Sequence, residues 1–133
     1  MIWQIKWLAM QSISGMVYFF PATATVVVVS LTAIFLDRPS RNEKYRYLPL
    51  ALFLFPLIYL LYGFVFASKW SDAPTWAGYD IFLLLFIQLV VSIGVIVRMK
   101  GLRLYAFGIS LLAAYVGLSF AFIAGMSVTG DWL

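Results

Sequence analysis

The stretch YDIFLLLFIQLVVSIGVIV, residues 79–97, decides the reading of this chain. An apolar run of about 20 residues is what an α-helix needs to cross a hydrocarbon core of about 30 Å. Three further runs of that kind lie near Ser14–Leu36, Leu48–Ala67 and Leu104–Gly125. The connections DRPSRNEKYRY (37–47), SKWSDAPTWAG (68–78) and RMKGLR (98–103) are too short to hold a separate domain. The expectation is one all-α integral membrane domain over residues 1–133, a four-helix up-and-down bundle in which consecutive spans are antiparallel neighbours.

Composition agrees. Hydrophobic residues make up 65% of the 133 and charged residues 11%, with a mean hydropathy of +1.01. An ordinary soluble domain holds about 25% charged residues. A chain this short in water would leave large apolar patches exposed.

Seven of the nine basic residues fall in two connections, Arg38, Arg41, Lys44 and Arg46 in the first, and Arg98, Lys100 and Arg103 in the last. The other side holds only Lys6 and Lys69. This asymmetry reads as a topology signal and not as a nucleic-acid surface. It places the two basic loops in the cytoplasm and both termini outside, as in a bacterial inner-membrane protein. All five tryptophans, Trp3, Trp7, Trp70, Trp76 and Trp132, fall on the assigned outer side, with Tyr45, Tyr47 and Tyr105 flanking the inner loops. Indole and phenol rings favour the headgroup level, so these tryptophans are expected to anchor the interface. The N-terminus lacks the pattern of a cleaved secretory signal, so the first span is expected to be retained.

The first segment is overlong. From Leu8 to Leu36 a single helix would reach roughly 43 Å. Residues 2–13 are therefore expected to form an interfacial helix or an extension, with Gly15 and Pro21 as candidate bends. On one continuous helical wheel, Gln4, Trp7, Gln11, Ser14, Tyr18, Thr25 and Thr32 share a stripe roughly 80° wide. Such a stripe should face other helices or line a path.

The third span carries Gln88 near its middle and Ser92 one turn on, and Gln88 lies at the expected depth of Thr25. The fourth repeats small residues every fourth position, Ala113, Gly117, Ala121 and Gly125, with Ser110 beside them. That spacing lets another backbone approach closely. No carboxylate falls at mid-span, and Asp80 is placed to cap the third span.

With no Cys and no His, thiol chemistry and the commonest metal and haem ligands are missing, and no phosphate-binding glycine loop occurs. No catalytic, cofactor or metal residue is assigned. The expected role is a non-catalytic multi-pass subunit or accessory protein whose partners are the lipid bilayer and other membrane subunits or copies of itself. The alternative is a small channel, carrier or flippase acting as a homo-oligomer.

Overall fold

The computed structural model describes residues 2–40, 43–67 and 75–129, apart from the side chains of residues 4, 5 and 67. Among these the chain is all-helical. Helix α1 is Ile2–Tyr18 and α2 is Phe20–Leu36; a 3-10 turn, Leu48–Phe53, leads into α3, Leu54–Ala67; α4 is Trp76–Arg98 and α5 is Arg103–Thr129. Three of the rods, Leu48–Phe66, Trp76–Arg98 and Arg103–Thr129, are long and apolar enough to cross a membrane. There are four if the bent pair α1–α2 counts as one crossing.

The first segment is not a single helix over 14–36. It breaks at Phe19, whose φ of −93° and ψ of 36° are not helical, and the two halves meet at 90°. Pro21 sits in the first turn of α2, where a missing N–H costs nothing and its fixed φ suits a helix start. Gly15, the other candidate bend, stays inside α1. Helix α2 is then 17 residues long, about 25 Å, slightly short of a hydrocarbon core.

The second span, which carries Pro56, is not broken. The proline falls in the first turn of α3, just after the 3-10 turn, in a rod that runs continuously from Leu48 to Phe66. Asp80 is not a cap, because α4 starts at Trp76 and Asp80 stands a full turn inside it.

Consecutive spans were expected to be neighbours; α3 meets α4 and α4 meets α5, but the first pair departs from this. Among the described residues α2 does not meet α3 or α4; α2, α3 and α4 each pack mainly against α5. The last helix is the hub, and the reason lies in its side chains. Ala106, Gly108, Ala113, Gly117, Ala121 and Ala124 are buried around its circumference, so three neighbours can approach it closely. A Cβ on Gly108 would lie 2.6 Å from the Ser30 carbonyl oxygen of α2, and one on Gly63 of α3 would lie 3.1 Å from Ala124 Cα. Helix α2 runs antiparallel to α5, with Ser30 beside Gly108 and Thr23 beside Tyr115. Helix α3 runs parallel to it, with Arg46 just ahead of the rod beside Tyr105 and Gly63 beside Ala124. Helix α4 runs antiparallel, joined to α5 by a short turn with Gln88 beside Gly117.

The two basic connections come together at one end. The Leu104 amide, an orphan donor of the first turn of α5, donates to the Asp37 carboxylate at 3.1 Å, and Tyr105 Oη donates to the Arg46 carbonyl at 2.9 Å. The turn from α4 to α5 needs Gly101, whose φ of +90° is unfavourable for any residue with a Cβ.

Candidate functional site

The polar interior is built on Gln88. Residues 81, 88 and 92 lie on the buried face of α4, which turns Gln88 inward between α3 and α5 with only 3% of its surface exposed. Tyr59, in the middle of α3 and fully buried, donates its hydroxyl to Gln88 Oε1 at 3.0 Å. Gln88 Nε2 donates to the Ala113 carbonyl of α5 at 3.1 Å. Ser92 Oγ returns to the Gln88 carbonyl at 2.7 Å. The amide thus has both its oxygen and its nitrogen engaged, each by a different helix. Gly117 makes the room: a Cβ there would sit 2.8 Å from both Gln88 Nε2 and Oε1.

Toward the end away from the basic loops, Tyr62 Oη donates to the Ala77 carbonyl at 3.0 Å and lies 3.3 Å from Asp80 Oδ2. Phe66 bridges Tyr62 and Trp76, with ring centroids 4.8 and 6.2 Å away. The Tyr62 hydroxyl has one proton, and the nearer Ala77 carbonyl takes it; the bond ties α3 to α4, with the Asp80 carboxylate beside it as the second acceptor within reach.

A second polar junction holds the α1–α2 break. Thr23 Oγ1 lies 2.6 Å from the Met16 carbonyl, 3.2 Å from the Phe19 carbonyl and 2.5 Å from Tyr115 Oη of α5. A hydroxyl has one proton. If Thr23 gives its proton to Met16, the nearer carbonyl, Tyr115 must donate to Thr23. A carbonyl exposed by the bend is thereby satisfied and the bend is tied to the hub. Replacing Tyr115 with Phe, or Thr23 with Val, should raise amide exchange over residues 15–20 about ten-fold by hydrogen-exchange mass spectrometry, with little change over residues 84–92. Equal exchange in the two regions would show the junction to be inert.

The polar stripe expected along the first segment is not assembled. The 90° break ends the single wheel on which it was drawn. Gln11, Ser14, Tyr18, Thr25 and Thr32 are exposed, and the hydroxyls of Ser14, Thr25 and Thr32 turn back to the carbonyls of Met10, Pro21 and Val28. The anticipated pairing of Thr25 with Gln88 is not made; Gln88 is held by Tyr59 and Ala113. Among the described residues the buried polar side chains of the first segment are Ser12, bonded to the Leu8 carbonyl, and Ser30, against α5. Ser30 Oγ and Ser110 Oγ are the buried polar atoms without a partner among the described residues.

Of the small-residue face, Ser110, Ala113, Gly117 and Ala121 are buried, whereas Gly125 faces open space. Of the expected anchors, Trp3 and Trp76 are exposed, Trp7 is half-buried, and Trp70 and Trp132 lie outside the described residues, as do Arg41, Lys69 and Asp72. Tyr59, Thr23 and Tyr115 were missed. Depth could have found Tyr59, since it stands mid-run opposite Gln88; nothing in the local pattern singles out Thr23 or Tyr115.

No known protein family, characterised protein or solved structure matches this chain.

Proposed function

We propose that this chain is a non-catalytic multi-pass membrane subunit, with four crossings, that packs into a larger membrane assembly or modulates one. The basic end faces the cytoplasm, both termini lie on the opposite side, and α1 lies along the outer surface because it meets α2 at 90°. The observation that carries the role is Gln88. A mid-span amide with one hydrogen bond to α3, another to α5, and a glycine opposite it works as interhelical glue. The exposed apolar faces of α2 and α4, which carry Val28, Phe35, Phe82 and Phe86, are left for lipid or for neighbouring subunits.

One feature favours a homo-oligomeric carrier as the second reading. Thr25 and Thr32, seven residues apart, share the face of α2 opposite Ser30 and Ala33, where two copies could place hydroxyls along a seam. The two roles separate on purification in mild detergent. A stable complex with different subunits is the expected result. A lone homodimer whose vesicle flux is abolished by Thr25→Val would overturn the accessory role and establish the carrier.

A further inference from the structure

We infer that the basic end holds an anionic phospholipid, its phosphate seated between Arg98 and Lys44 beside the ring of Tyr45. The inference rests on the membrane reading above but not on the accessory role. Lys44 belongs to the loop between α2 and α3, and Arg98 is the last residue of α4. Yet the Lys44 Nζ and the Arg98 guanidinium lie 5.9 and 5.8 Å from the centroid of the same ring. Two cations from separate segments, both beside one ring, offer an anion there two charges to meet.

The charge at this end is not balanced locally. Among the described residues six cations, Arg38, Lys44, Arg46, Arg98, Lys100 and Arg103, stand against Asp37 and Glu43. Asp37 already accepts the Leu104 amide. Arg46 and Tyr47, beside the site, are also held in place before any ligand arrives. Tyr105 anchors the Arg46 carbonyl, and the Arg46 guanidinium donates to the Tyr47 hydroxyl and lies 4.3 Å from the centroid of that ring. Arg98 brings the planar fork of donors that meets a phosphate in a bidentate fashion, and Lys44 adds a point charge.

The ligand is a lipid and not a free anion because apolar surface adjoins the site. Val97 precedes Arg98 and is 58% exposed, and Leu50 and Leu54 are exposed on the rod that follows the loop. Acyl chains would lie on these residues while the half-exposed Tyr45 and Tyr47 stand at the headgroup level.

The test uses the full chain in a nonionic detergent, with equal amounts of phosphatidylglycerol and phosphatidylcholine of the same acyl chains, read by native mass spectrometry. Phosphatidylglycerol adducts should exceed phosphatidylcholine adducts, and the preference should fall about five-fold for each of Arg98→Gln and Lys44→Gln. Arg98→Lys should retain part of it. Lys6→Gln, at the opposite end, should leave it unchanged. Equal retention of the two lipids by the native chain would overturn the site whatever the variants do. So would an unchanged preference in the double variant, and displacement of the lipid by inorganic phosphate would assign the site to a free anion. Release of the chain from membranes by alkaline carbonate would instead sink the membrane reading itself.

Discussion

Replacing Gly108 with alanine should detach α2 from the rest of the molecule. The added Cβ would lie 2.6 Å from the Ser30 carbonyl oxygen and 2.9 Å from Ile34 Cγ1. The first is backbone and cannot swing away, so the helices must separate by several tenths of an ångström at least. Overpacking of this kind costs about 1–3 kcal/mol. Here the loss is concentrated, because α5 is the main contact of α2 and α2 meets neither α3 nor α4 among the described residues. The apparent melting temperature in detergent should drop by roughly 5–10 °C. A local readout is available because the chain has no native cysteine. A cysteine at the fully buried position 30 should react with maleimide about ten-fold faster in the Gly108→Ala background, while one at the exposed position 32 should react equally in both. Gly94→Ala, where nothing lies within 4 Å of the new methyl, should leave the melting temperature unchanged or slightly raised. Equal behaviour of the two alanine variants would refute the close approach of α2 to α5.

The second large effect belongs to the Gln88 node. Gln88→Leu leaves the Tyr59 hydroxyl buried without its acceptor and removes the donor to the Ala113 carbonyl. Stranding a buried polar group costs about 1–3 kcal/mol, toward the low end in a membrane. Tyr59→Phe alone should cost about 1 kcal/mol, since Gln88 keeps its bond to α5. The double variant should be no less stable than Gln88→Leu alone, because the hydroxyl stranded in the single variant is no longer there. Gly117→Ala should resemble Gln88→Leu, as its methyl would push the amide out of register with both partners, whereas Gly125→Ala meets open space and should be neutral. Additive losses for Gln88→Leu and Tyr59→Phe in unfolding titrations would show that the two side chains are not coupled.

Gln88 and Gly117 both stand out in the sequence, one as an amide in an apolar run and the other as part of a small-residue repeat. That they touch does not. Small residues announce that a helix will be approached closely, without saying by which neighbour. Gly117 and Gly125 belong to the same repeat, yet one faces an amide and the other open space. The polar stripe of the first segment failed for a related reason. A helical wheel assumes one axis, and the break at Phe19 gives the segment two. Pro21 signalled a bend but not its angle, because the angle is held by Tyr115, 92 residues away from Thr23.

The stretch 79–97 and its counterparts near 48–67 and 104–125 were enough, by themselves, to determine helices that long and that apolar, and the basic residues were enough to pair the two loops at one end. These are properties of composition and spacing, and any compact arrangement of the chain preserves them. Tertiary structure alone decided that α5 is the hub, that the first segment turns through 90°, and that Tyr59 is the partner of Gln88. Each depends on contacts between residues far apart in sequence, where surface complementarity and the one proton of a hydroxyl select a partner that local pattern leaves open.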